Sequence, residues 1–301
     1  MVTENKIYKM EILKEYLDLS SFAHSFGYLL SAFVLFFVGK VTYRFLNPKI
    51  NIQSELVEKD NLAFIISYVG YFGALLAILV GAISGESHGF LNDILLICIF
   101  SILGIILLHI SIILANKFIL SGFSIKKEIL DDQNEGTGLI EAAVYLGNGF
   151  ILFGALVGES ASLNEGIITF ITYWAIGNLI LIISSKIFSL WIPYDIHKEI
   201  EKDNVAAGTA FSGAFIGISI ILMNALMDPF ISWTNSIIDI LLYSLLGVIL
   251  LPVMRFITDK IILTGQNLND EICNQEKPNI GAGLIEAFSY IGAAILILWA
   301  F

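Results

Sequence analysis

Charge is scarce in this chain: 14% of its 301 residues are Asp, Glu, Lys or Arg, against 57% hydrophobic. A soluble domain needs more charge than that to cover its surface, so the bilayer is the expected solvent. Cysteine is nearly missing, with Cys98 in an apolar run and Cys273 in a polar stretch. Two dispersed thiols imply neither a disulfide framework nor a zinc site, which would need several clustered ligands. There is no basic patch, and nucleic-acid binding needs one to neutralise phosphates. The N-terminal MVTENKIYKMEILKEYLDLSS is polar and lacks the basic-then-apolar order of a cleaved signal peptide, so the first membrane helix is expected to serve as the insertion signal. No HExxH, no GxSxG with a partner histidine, no phosphate-binding glycine loop and no His-Cys cluster occurs. The polar connections are too short to hold a catalytic domain. The expectation is a non-enzyme without cofactor or metal.

What is present is apolar length. Spanning the hydrocarbon takes about 20 mostly apolar residues as a helix. Eight runs meet that, at about 20–46, 61–84, 92–116, 136–158, 166–190, 204–227, 235–258 and 280–301, and the mean hydropathy is +0.83. The fold class expected is an all-α, polytopic membrane protein. Connections after odd-numbered runs are long and charged, as in NPKINIQSELVEKD, and those after even-numbered runs are short, as in MDPFISW. Thirteen of the sixteen Lys and Arg lie at the long connections or at helix ends feeding them; only Lys6, Lys9 and Lys14 precede the first run. The positive-inside rule therefore puts the long connections in the cytoplasm and both termini outside.

The chain repeats itself. EKDN at Glu58 recurs at Glu201, LGIILL at Leu103 recurs as LGVILL at Leu246, and NEGTGLIEA from Asn134 recurs as NIGAGLIEA from Asn279, always 143 to 145 residues on. This is a duplicated four-helix unit. An N-terminal polar segment, 1–19, precedes a first repeat at 20–160 and a second at 161–301. A weaker repeat lies inside each half, because Asn61, Asn134, Asn204 and Asn279 each open an even-numbered run. The basic unit is two helices used four times in parallel orientation, with its pseudo-symmetry axis along the membrane normal.

DNVAAGTAFSGAFIG, followed about seventy residues on by NIGAGLIEAFSYIGAAILI, resembles the domain of unknown function 350 (YjfL-like) family of bacterial inner-membrane proteins, as two tandem copies covering nearly all of the chain after residue 20. In the first copy Ile65 stands where the other three repeats have glycine. The resemblance implies a fold and a bacterial inner-membrane location, and no established activity.

Polar residues in the apolar runs are the candidates for function. The four asparagines, Asn61, Asn134, Asn204 and Asn279, read either as helix caps or as a ring of amides framing a cytoplasmic mouth. Small residues, among them Gly70, Gly147, Gly213, Gly217 and Gly292, concentrate in the even-numbered runs. They let helix backbones approach closely in lipid, which points to an inner group of even-numbered helices and an outer, lipid-facing odd-numbered layer.

Glu141 and Glu286 each follow a repeated asparagine by seven residues, about 10 Å of helix rise, with Tyr145 and Tyr290 one turn further on the same face. An ionised carboxylate at such depth costs several kcal/mol unless it is paired, so each could carry a proton, bind a cation, or bond structurally to a neighbouring helix. The corresponding positions in the other units are Tyr68 and Phe211, which makes any acidic site two-fold. His109 has Pro252 as its counterpart and reads as a satisfied polar group. Asn148, Asn178 and Asn224 are expected to bond between helices. Asp93 and Asp239 sit where interaction with the helix dipole suffices.

Two functions fit. In the first the chain moves a proton or small cation across the membrane, with the glutamates as sites, the tyrosines tuning them and lipid as the surroundings. In the second it is a non-transporting scaffold that recruits cytoplasmic protein partners, of an envelope-stress type, through the acidic connections SELVEKD, KKEILDDQNE, HKEIEKD and NDEICNQEKP.

Overall fold

The computed structural model describes residues 19–85, 87–122, 124–158, 160 and 162–300; the polar N-terminal segment, Leu19 apart, lies outside them. Eight helices are long and apolar enough to cross a membrane. They are α1 (Leu19–Leu46), α2 (Leu62–Ile83), α3 (Phe90–Phe118), α4 (Glu135–Val157), α5 (Leu163–Trp191), α6 (Val205–Leu226), α7 (Trp233–Ile257) and α8 (Ile280–Ala300). Among the described residues there is no strand.

The helix starts follow from local chemistry. Asn61, Asn134 and Asn204 accept from the backbone N–H three residues on, at 3.0, 2.8 and 3.0 Å, and Asn279 does the same for Ala282 at 3.3 Å. Each cap satisfies a donor that the first helical turn leaves without a partner. Before three of them the chain turns through a left-handed residue, Asp60, Gln133 or Asp203, with φ between 47° and 58°. At the other face of the protein Ser162 and Ser232 cap α5 and α7. Asp93 there does more than meet a helix dipole: it accepts from the Tyr28 hydroxyl at 2.6 Å, the Ser87 hydroxyl at 2.7 Å and the His88 amide at 2.7 Å, tying the first short connection to α1.

The helices form two layers. Helices α2, α4, α6 and α8 lie side by side in that order, and α2 and α8 share no extensive interface. The inner group is therefore an open row and not a closed bundle. The odd-numbered helices cover it: α3 bridges α2 and α4, α5 bridges α4 and α6, α7 bridges α6 and α8, and α1 rests on α2 and α3. Burial follows this placement, from 89% of the apolar window of α6 to 11% of that of α1.

Small residues explain the close row. A Cβ added to Gly70 of α2 would stand 2.5 Å from the Ala142 Cα of α4, and the same conflict arises between Gly213 of α6 and Ala287 of α8. Gly147 is closed by the Phe215 ring and the Ser219 hydroxyl of α6, and Gly217 by the Tyr290 carbonyl of α8. Gly292 departs from the packing role expected of it. A Cβ there would meet only the Phe288 ring of its own helix, at 3.9 Å, because α8 ends the row and no neighbour takes the place that α6 has beside Gly147. The polar residues within helices also differ from expectation. Asn148 and Asn178 donate to the Val144 and Trp174 carbonyls of their own helices, both at 2.9 Å, rather than across an interface.

Candidate functional site

The four asparagines all act as helix caps. They stand along the row, and their amide groups are turned onto neighbouring chain. Asn61 donates to Glu55 at 2.9 Å and to the Ile129 carbonyl at 2.8 Å; Asn134 to Glu128 at 3.1 Å and the Ile200 carbonyl at 2.6 Å; Asn204 to Glu199 at 2.9 Å and the Ile272 carbonyl at 2.8 Å. Each thus caps its own helix, holds a glutamate of its own connection, and ties itself to the connection of the next unit. Asn279, at the last described helix, donates to Glu271 at 2.8 Å and has no tie to a further connection among the described residues. One glutamate in each acidic connection is consumed in this way.

The glutamates form two different sites. In the first half, Glu141 of α4 accepts from the Ser67 hydroxyl of α2 through Oε2. Tyr145, one turn on, lies edge-on to Tyr71, their ring centres 5.3 Å apart. Tyr71 donates to the Gly39 carbonyl at 2.7 Å, stands 3.4 Å from Nε2 of His109, and packs against Tyr43 at 4.8 Å between rings. Beside this aromatic cluster is a cavity of about 310 Å³, near the long connections, lined by Glu141, Tyr145, Tyr43, His109, Ile112 and Lys126 among others. The Lys126 ammonium rests 3.1 Å from the Asn47 side-chain oxygen.

In the second half, Glu286 is fully buried. The Arg255 guanidinium of α7 donates through Nη1 to Glu286 and through Nη2 to Asn269. Tyr290 donates to the same carboxyl oxygen at 2.6 Å, and the Tyr194 ring lies 5.7 Å from the guanidinium carbon. The arginine and the tyrosine both bond Oε1 of Glu286, while its Oε2 is buried with no hydrogen-bond partner among the described residues. The two acidic positions expected from the repeat therefore have different surroundings, Glu286 with an arginine and a tyrosine, Glu141 with a serine and a cavity.

Repeat register shows how the halves diverged. Arg255 corresponds to Ile112, Asn269 to Lys126, and Ser67 to Ala210. In the sequence Arg255 is one of the basic residues at a helix end, and nothing in the repeats marks Ser67, Tyr43 or Tyr71. A signal for Arg255 was present, since it interrupts the apolar stretch GVILLPVMRFI before the polar TDK. Its pairing with a residue 31 positions away depends on how α7 packs on α8.

A second cavity, of about 220 Å³, lies at the short connections, lined by Tyr28, Ser87, His88, Asp93, Ser160 and Thr169 among others. Along α3 the buried Ile105 and Leu108 stand between the residues of the two cavities.

The sequence profile described as Domain of Unknown Function (DUF350) matches residues 16–156 and again 162–301. The chain is similar to a UPF0719 transmembrane protein of Aquifex aeolicus (strain VF5), 24% identical over 273 residues, covering 90% of this chain and 98% of that protein. No solved structure matches the chain.

Proposed function

The chain belongs to the DUF350 family, and from that premise we propose that it moves protons or small cations across the membrane, with Glu141 as the working site. The observation that carries this reading is the contrast within the repeat. Glu141 lacks the arginine that closes Glu286, and it faces a cavity of about 310 Å³. A carboxyl group in an apolar helix needs a partner, and a proton or cation arriving through that cavity supplies one. Glu286 then serves structure, through Arg255 and Tyr290. Tyr145, His109 and Tyr43 line the path to Glu141 and shape its surroundings.

The direction follows from charge. With the long connections in the cytoplasm of a bacterial inner membrane, the Glu141 cavity opens inward and the Asp93 cavity lies outward. Ile105 and Leu108 close the interval, so passage requires α3 to shift against its neighbours, as a gate rather than as an open pore. No chemical reaction is assigned to the protein.

The test is proton and cation flux into liposomes that hold the purified protein. Glu141→Gln keeps the shape of the side chain and removes its titration. Flux should fall at least about tenfold, while the double variant Arg255→Ile with Glu286→Gln, which leaves no unpaired charge, should retain it. Equal flux in the wild type and Glu141→Gln sinks the proposal. Absence of flux for every ion tried also sinks it, and favours a scaffold that recruits partners through the exposed acids of the connections, such as Asp131, Asp132 and Glu276.

A further inference from the structure

We propose that the cavity beside Glu141 binds a small organic cation of the guanidinium class, the second half showing the same site filled by its own arginine. This rests on the reading of Glu141 as a cation site and names the kind of cation.

Four positions around the buried guanidinium have direct counterparts at the cavity: Arg255 and Ile112, Asn269 and Lys126, Glu286 and Glu141, Tyr290 and Tyr145. In the second half the arginine joins Glu286 to Asn269. In the first half Ile112 is too short to reach across, and the cavity lies between the counterparts of those two partners. The duplicated scaffold thus holds a guanidinium once covalently and leaves a matching space once without it.

The donor set fits that class better than a metal ion. Hard metal ions need several oxygen ligands to replace their water, and the cavity offers one carboxylate. Ser67 holds Glu141 through Oε2 alone, as Glu286 is held through Oε1 alone. A guanidinium is weakly hydrated, presents several donors in one plane and stacks on aromatic rings. Tyr43, Phe64 and Tyr145 supply such rings, and Asn116 and His109 supply further polar atoms. Lys126 opposes an entering cation from the mouth, where the second half has the neutral Asn269, and its ammonium donates to Asn47.

The experiment is calorimetric titration of the full-length purified protein in detergent with millimolar guanidinium chloride, against sodium chloride at equal ionic strength. One saturable guanidinium site per chain is expected, without a comparable sodium isotherm. Ile112→Arg, which copies the arginine of the second half, should weaken guanidinium binding at least about tenfold by occupying the site, and Glu141→Gln should weaken it similarly through loss of a charge-assisted pair. Lys126→Asn should tighten it. Where Arg255→Ile yields folded protein, a second site should appear.

No saturable guanidinium binding by the folded wild type overturns the inference, as does binding that Ile112→Arg leaves unchanged or that sodium matches. Glu141-dependent proton flux without guanidinium binding removes the ligand class and leaves the transport reading standing. Guanidinium binding at Glu141 without flux of any ion keeps the site and removes transport.

Discussion

The two halves repeat a glutamate and a tyrosine one helical turn apart, yet one half seals its carboxyl with an arginine and the other leaves it beside a cavity. The backbone frame around them is conserved: Gly70 meets Ala142 as Gly213 meets Ala287. What changed are side chains on the neighbouring helices, Ser67 for Ala210 and Ile112 for Arg255. A duplicated membrane scaffold can therefore keep its packing while the side chains around its repeated carboxyl diverge. The difference lies in which partner a buried carboxyl has, and not in the carboxyl itself.

The sharpest way to break that comparison is to remove one partner from each site. Deleting one member of a buried ion pair leaves the other unpaired, at about 3–5 kcal/mol. Arg255→Ile and Glu286→Gln should each destabilise by that amount, measured by unfolding in mixed micelles with increasing denaturing detergent. The two together should recover most of the loss. Glu141→Gln should cost no more than about 1 kcal/mol, because the Ser67 hydroxyl can still bond to an amide. Equal losses in Glu141→Gln and Glu286→Gln would mean that the first glutamate is paired as firmly as the second, and the cavity would then not mark a functional difference.

A middle-sized effect separates the interior of the row from its end. Asn134 combines a helix cap, a buried bond to Glu128 and a tie to the next connection. Asn134→Ala should cost about 2–4 kcal/mol, a cap plus a stranded buried partner. Asn279, exposed and at the last helix, lacks the tie onward, and Asn279→Ala should cost about 1 kcal/mol, the cap alone. Equal losses in the two variants would show that the last unit has a neighbour in the membrane, such as another chain.

Much of this architecture was legible in the sequence, and the part that was not has a physical reason. Long apolar runs and the repeated asparagines locate the helices and their starts, because spanning length and capping are local properties. The even-numbered helices form the inner layer for the reason their glycines and alanines suggest. The open row was not legible. Gly147 and Gly292 are equivalent in sequence, and only the presence of α6 beside one of them distinguishes their roles. Asn148 and Asn178 were expected to cross interfaces and bond back to their own helices instead, a choice fixed by side-chain direction. At the site, Glu141, Glu286 and their tyrosines were visible by repetition. The residues that make the two sites differ were hidden because they do not repeat.

The smallest effect tests the tyrosines themselves. Tyr290 donates to Glu286 at 2.6 Å from a fully buried position, so Tyr290→Phe removes a charge-assisted hydrogen bond and should cost about 1.5–3 kcal/mol. Arg255 remains on the carboxyl in that variant, which keeps the loss toward the lower end. In the first half Tyr145 is held by its ring against Tyr71, and Ser67 is the donor on the carboxyl. Tyr145→Phe preserves that ring packing and should cost no more than about 0.5 kcal/mol in the absence of ligand. Detergent unfolding of the two variants side by side decides the matter. A loss at Tyr145→Phe as large as that at Tyr290→Phe would put its hydroxyl on Glu141, leaving that carboxyl with two internal donors. The reason for an incoming cation to settle there would be correspondingly weaker.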